Sequence, residues 1–308
     1  MKQNKKMELL GSAPIPKALL AMGIPMMIGM MISAIYNLVD AYFVGNLGTS
    51  QMGAISVAFP LGQVVVGLGL LFGTGASSYI SRLLGQQKIE QADNVASTSI
   101  YGSISLGAIF IIVTVVFLKP ILRMLGATDS IMPYAVTYAI IYVISSIFNV
   151  FNVTMNNIVT SEGAAKISMC ALLSGAILNM ILDPIFINIF NLGVKGAALA
   201  TAISQAVSTI VYLLYILSKK SVFSFSIKKC RFSKGILFEI FKIGVPTLVF
   251  QLLTSLSIML INRQANTILT NTSKEYVDSV IAGMGAVTRV ISMGSLMVFG
   301  FLKGFQPI

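Results

Sequence analysis

Long apolar runs alternate with short polar connections along the whole chain. The runs cover approximately 18–45, 52–80, 96–118, 131–155, 167–190, 194–217, 236–262 and 277–302. Each reaches or exceeds the roughly 20 apolar residues that carry an α-helix across a bilayer. The pattern predicts eight transmembrane helices, and the longer runs predict tilt. Pro25, Pro60, Pro184 and Pro246 fall inside runs. Each lacks a backbone donor and is expected to bend its helix. The expected fold class is all-α, a polytopic transmembrane helical bundle.

The longest polar connection starts at Ser218, after the sixth run. It separates an N-terminal lobe, 1–218, from a segment 236–308, with 219–235 as the loop between them. An internal repeat supports this division. Gly23-Ile24-Pro25 in the first run returns as Gly244-Val245-Pro246 in the seventh, and Met52-Gly53-Ala54 returns as Met284-Gly285-Ala286 in the eighth. A second copy thus begins after six helices, and two helices of it follow. The expectation is a chain truncated after the eighth of twelve helices, with two six-helix lobes of which the second is incomplete.

Composition agrees with a lipid solvent. The chain is 56% hydrophobic and 10% charged, with a mean hydropathy of +0.88, where soluble domains carry about 25% charged residues. The first run is too long for a signal-peptide core, and no small-residue cleavage site follows it. The net charge of +11 does not point to nucleic acid, because Lys and Arg gather between the runs. With the N-terminus inside, fifteen fall on inner segments, from Lys2 and Lys5 through Arg82, Lys88 and the 219–234 loop to Lys242 and Lys303. Four, Lys119, Arg123, Lys195 and Lys274, fall on outer loops. This bias predicts a cytoplasmic N-terminus in the plasma membrane. There is no His, which removes Ser–His and Cys–His couples and the commonest metal ligand. Cys170 and Cys230 imply neither a disulfide framework nor a zinc site.

Two of the ten acidic residues stand in apolar sequence, Asp40 and Asp183. The others, Asp93 and Glu162 among them, lie in loops or at run ends and read as solvated charge. A carboxylate inside a bilayer is costly unless paired, protonated or hydrated, so it marks a functional site by default. At about 1.5 Å per residue, Asp40 lies roughly 8 Å and Asp183 roughly 10 Å below the outer ends of their helices. Thr201 lies at a similar depth on the sixth. Asn179 precedes Asp183 by four residues, and Tyr36 and Asn37 precede Asp40 by four and three, so each shares a helix face with its carboxylate. Two carboxylates, an amide oxygen and a hydroxyl suit Na⁺. Carboxylates desolvated side by side equally suit proton carriage. Helix capping or hydrogen bonding across the bundle is the plainer alternative, and a back-bonded threonine the alternative for Thr201.

Asn149, Asn152 and Asn156 form a polar stripe along the fourth helix, facing either a cavity or partner helices. Gly69 and Gly73 in the second predict close helix packing. Some of the 17 Met and 18 Phe residues could line an adaptable cavity.

Several pieces together resemble the multidrug and toxic compound extrusion family of secondary transporters. They are Gly-Ile-Pro in the first run, Asp40 followed by Phe43-Val44-Gly45-Asn46-Leu47-Gly48, and Asn179 to Asp183-Pro184. Gly193 to Thr201, the second Gly-x-Pro and the final Phe305-Gln306-Pro307 complete them. The resemblance implies twelve helices in two lobes and drug export driven by an inward Na⁺ or H⁺ gradient. It maps the cation site, a metal site if sodium is the ion, onto Asp40, Asn179, Asp183 and Thr201. Some relatives use an acidic residue in helix seven, where this chain offers Gln251 and Thr254 instead.

The expected function is a cation-coupled antiporter, not an enzyme, that exports cationic or amphipathic organic compounds bound between the lobes. Pro25 is the candidate hinge, Gln251 a further candidate cavity residue, and no cofactor beyond the coupling ion is expected. The expected partners are small-molecule drugs or toxic organic cations and the lipid bilayer. Na⁺ against H⁺, and the oligomeric state, stay open. The rivals are a lipid-linked oligosaccharide flippase, which would show a cationic central cavity where these runs hold almost no Lys or Arg, and a non-transporting membrane receptor or scaffold.

Overall fold

The computed structural model describes residues 14–268 and 274–305. The basic start of the chain and Gln306-Pro307 lie outside them. The described residues form helices joined by short connections, except for the loop 218–233. In chain order the helices are α1 (Ile15–Gly45), α2 (Thr49–Gly85), α3 (Ile89–Val116), the short α4 (Leu118–Met124), α5 (Met132–Ser161), α6 (Ala165–Pro184), α7 (Gly193–Leu217), α8 (Lys234–Ile268) and α9 (Lys274–Phe305). Seven of them, all but α4 and α9, are long and apolar enough to cross a membrane. The eighth expected span is α9, whose apolar stretches, Ser279–Thr288 and Gly294–Phe305, are shorter. Arg289 stands between the two in sequence. The helix α4 was not expected; it carries Lys119 and Arg123. At about 1.5 Å per residue, the 31 residues of α1 and 37 of α2 give about 46 and 55 Å, well beyond a 30 Å hydrocarbon core. Both helices must tilt or emerge.

The second helix is the hub. It packs on α8, α5, α3 and α9, whereas α1 barely meets it and packs instead on α9 and α6. Glycine permits close crossings of α2 with α5 and α8. A Cβ at Gly69 would stand 2.7 Å from Cβ of Val153 on α5, and a Cβ at Gly75 would strike the carbonyl of Ile240 on α8. The glycine-xxx-glycine segment of α2 is therefore a packing face, as its spacing predicts. Because α1 and α2 diverge, the space between them is walled by α5, α6, α7, α8 and α9.

The helices continue through Pro25, Pro60 and Pro246. At Pro184 the helix changes character. Proline offers no N–H to the preceding turn, and the chain continues as a π-helical turn, Ile185–Ile189. Such wide turns are frequent at functional sites, and this one begins two residues after Asp183.

Two acidic residues depart from the sequence reading. Glu162, expected as solvated charge, is 2% exposed at the end of α5. It accepts hydrogen bonds from the Tyr215 hydroxyl, from Ser221 Oγ at 2.8 Å and from Val222 N at 2.7 Å. Asp93, read the same way, is 4% exposed and accepts from Ser224 N, Ser224 Oγ and Lys229 Nζ. The hydrogen bond to Asp93 and the nearness of its charge raise the Lys229 pKa. Thr98 exchanges hydrogen bonds with the backbone of Arg231. The loop between α7 and α8 is thus pinned to α3 and α5. Buried carboxylates persist when hydrogen-bonded by several donors, and the backbone of the loop supplies donors that no sequence pattern announces.

Candidate functional site

Two adjoining cavities fill the space between α1 and α2. The first, of about 540 Å³, is lined by Ser33, Tyr36, Asn37, Asn149, Asn152, Asn156, Asn179, Thr201, Gln205, Tyr212, Gln251 and Lys303, with Met30, Leu70, Leu172, Phe250, Phe299 and Leu302 among its apolar walls. The second, of about 600 Å³, adds Asp40, Gln63, Tyr138, Tyr142 and Thr254. Tyr36, Asn37, Asn149, Thr201 and Gln251 line both. Mostly apolar walls with a few convergent polar groups, at this size, suit a drug-sized organic ligand.

The residues singled out by depth fall into place unevenly. Asn179 and Asp183 come together. The Asn179 amide nitrogen lies 3.4 Å from Asp183 Oδ1, and both side chains are buried. The amide oxygen of Asn179 is buried and has no hydrogen-bond partner among the described residues. An amide oxygen of this kind could serve a hard cation. Asn179 lines the first cavity and Asp183 stands behind it, lining neither. Thr201 lines both cavities, while Asp40, partly buried, lines only the second. Asn179 of α6 and Thr201 of α7 therefore share the first cavity, with Asp183 joined to Asn179, while Asp40 of α1 shares the second cavity with Thr201. Carboxylate, amide and hydroxyl oxygens are the ligand types that hard cations such as Na⁺ prefer. Pro25 is buried and lines neither cavity.

The asparagine stripe serves both of its possible roles. Asn149 lines both cavities. Asn152 donates to Gln205 Oε1 at 2.9 Å and accepts from Thr209, tying α5 to α7. Asn156 donates to the Tyr212 hydroxyl at 3.2 Å. Its oxygen accepts from Lys303 Nζ at 2.5 Å.

That last contact corrects the sequence reading. Lys303 counted there as an inner-loop charge, and the spans as nearly free of Lys and Arg. It lies instead within α9, partly buried, and its ammonium reaches the cavity wall. Sequence reasoning also missed Gln205 and Tyr212. The available signal was polar spacing on α7, where Thr201, Gln205, Ser208 and Tyr212 recur at three and four residues.

Comparison with known proteins agrees with this architecture. The family model described as MatE matches residues 25–185. The multidrug export protein MepA of Staphylococcus aureus strain N315 is 36% identical over 297 residues, which is 96% of this chain and 64% of the relative. A solved structure described as the outward-facing conformation of a multidrug resistance MATE family transporter of the MOP superfamily superposes with a TM-score of 0.85 at 30% identity. It covers 97% of this chain and 65% of its own. The inward-facing conformation of such a transporter gives 0.80 at 31% identity, over 92% and 63%. The chain thus spans a little under two-thirds of the length of the relatives it matches.

Proposed function

The chain belongs to the MatE family, and from that membership we propose that it serves a cation-coupled antiporter exporting amphipathic organic compounds across the plasma membrane. Relatives of similar sequence are named as multidrug export proteins, and two adjoining cavities of drug size lie between helices α1 and α2. The observation that carries the coupling is the Asn179–Asp183 pair. It is buried at the cavity wall with an amide oxygen that no described residue satisfies.

In this reading, α1 to α7 form the first lobe, with α4 as a short surface helix, and α8 and α9 belong to the second. The repeat supports it. Gly23 of α1 meets Gly304 and Phe301 of α9, and the corresponding Gly244 of α8 meets Leu71 of α2. The two crossings are related as a two-fold axis between lobes would relate them. The loop charges support a cytoplasmic N-terminus.

Coupling needs a cation and a drug to bind the two access states differently. Asp183 and Asn179 would hold Na⁺, or Asp183 a proton, with Thr201 contributing a hydroxyl and Asp40 answering from α1. Bending of α1, with Pro25 as hinge, would then change the wall that Tyr36 and Asn37 present to the drug. The test is efflux from proteoliposomes holding the intact protein, driven by a Na⁺ gradient or by a pH gradient in turn. Efflux under neither gradient would overturn the reading and favour a receptor or scaffold.

A lipid-linked oligosaccharide flippase is the second reading, and Lys303 at the cavity wall is the observation on its side. A single ammonium among apolar walls is a sparse binding site for a pyrophosphate.

A further inference from the structure

Lys303 is the one charged residue among the described residues lining the first cavity. The described ion pairs of the chain are Arg82 with Glu239, Arg123 with Asp129 and Lys229 with Asp93, so no described carboxylate pairs with Lys303. Its ammonium donates to the Asn156 amide oxygen, and Asn156 turns its nitrogen to Tyr212. This orients the oxygen toward the ammonium and links α9, α5 and α7.

A lysine near a helix end ordinarily extends its head to the membrane interface. Here the head is held inward. Asn156 is 3% exposed and lies five residues inside the end of α5, about 7 Å along the axis. An ammonium has three donors, and one neutral amide satisfies one of them. An ammonium at this depth without a carboxylate is costly, and such residues mark ligand pathways.

We propose that Lys303 forms an anion subsite of the first cavity, and that the cavity takes amphipathic organic molecules bearing a carboxylate. The carboxylate would accept the free Lys303 donors beside Asn156, while Leu70, Leu172, Phe250 and Phe299 cover the apolar body. The inference rests on the transporter reading and narrows its substrate class. Asp40 in the adjoining cavity leaves room for a cationic group at the other end of the same molecule.

The test titrates the purified intact protein with dansyl-phenylalanine and with its methyl ester, and reads the ratio of their affinities. Tetraphenylphosphonium is titrated alongside. The wild type is expected to prefer the acid. In Lys303→Met, which keeps an apolar stem, the acid should weaken about tenfold or more relative to the ester, the scale of a lost charge-assisted hydrogen bond. Lys303→Arg should keep most of the preference. An equal loss for both probes in Lys303→Met, or an unchanged ratio, overturns the subsite and leaves Lys303 a tether of α9. Binding of tetraphenylphosphonium with neither dansyl probe bound also overturns it, and leaves the transporter reading standing. Failure to bind any of the three overturns both.

Discussion

The amide nitrogen of Asn179 stands 3.4 Å from Oδ1 of Asp183, one helical turn away on α6, and both side chains are shut off from solvent. The long distance marks a weak contact, and the Asn179 oxygen on the other side of the amide has no described partner. A buried acceptor without a donor is costly. A bound cation would remove that cost, so Asn179→Leu should lose coupling without loss of fold. Gradient-driven efflux should fall at least tenfold, while the melting temperature in cation-free buffer holds or rises. Unchanged efflux in the variant would remove Asn179 from the site.

Asp40 and Asp183 invite a paired test, because Asp40 lines the second cavity and Asp183 lines neither. Asp183→Asn removes the carboxylate behind Asn179 and should abolish cation-dependent efflux. Asp40→Asn alters the wall of the second cavity and should also change drug affinity in the absence of any gradient. Thr201→Val keeps shape and removes a hydroxyl. Its loss should be smaller, about tenfold or less, because it withdraws one neutral ligand. Equal and complete loss in all three would argue for a structural rather than a graded coordinating role.

How much of this was legible depended on the kind of signal. Helices α1 to α3 and α5 to α8 follow from runs of apolar residues, since lipid forces every backbone group into helical bonding. Asp183 was legible because its neighbours are apolar. Glu162 was not. It sits in Ser161-Glu162-Gly163 at a run end, where solvated charge is the ordinary reading, and its donors Ser221 and Val222 lie 59 and 60 residues away. Lys303 was misplaced for a related reason: position near the end of a run gives depth, while only the packing of α9 on α1 and α2 turns its side chain inward.

Glu162 should therefore be a stability residue. Glu162→Ala strands the Tyr215 and Ser221 hydroxyls and the Val222 N–H, and loses charge-assisted bonds of a buried carboxylate. The cost should be about 3 kcal/mol or more, read as a lowered melting temperature of the purified protein. Tyr215→Phe should cost less. The double variant should cost less than the two single losses together, because both break one network.

The loop between α7 and α8 gives a separate prediction through Asp93. Asp93→Asn keeps the acceptor oxygen for the Ser224 N–H but loses the charge that holds Lys229 at 2.6 Å. Amide hydrogen exchange across Ser224–Arg231 should become faster while the helices keep their protection. The raised Lys229 pKa fixes the sign with pH. The tie is complete while the lysine is charged, and is lost as pH rises through its raised value, so the wild-type loop should loosen only at strongly alkaline pH. A loop equally protected in Asp93→Asn would show that the Thr98 contacts with Arg231 and the Glu162 contacts with Ser221 and Val222 hold it without Asp93.

The repeated glycines offer the sharpest test of the two-lobe geometry. A Cβ at Gly244 would strike the carbonyl of Leu71, and a Cβ at Gly304 the backbone of Gly23. Both neighbours are backbone and cannot rotate away. Gly244→Ala must push α8 from α2, and Gly304→Ala must push α9 from α1. Each should cost about 1–3 kcal/mol, the usual scale of overpacking, seen as a lowered melting temperature and reduced efflux. Gly283 is the internal control. It lies on the same α9 with nothing within 4 Å of its would-be Cβ. Gly283→Ala should be neutral or stabilise by up to about 1 kcal/mol through helix propensity. If Gly244→Ala and Gly283→Ala behaved alike, helix propensity rather than close crossing would govern these positions, and the symmetric pairing of α1 with α9 and α2 with α8 would lose its support.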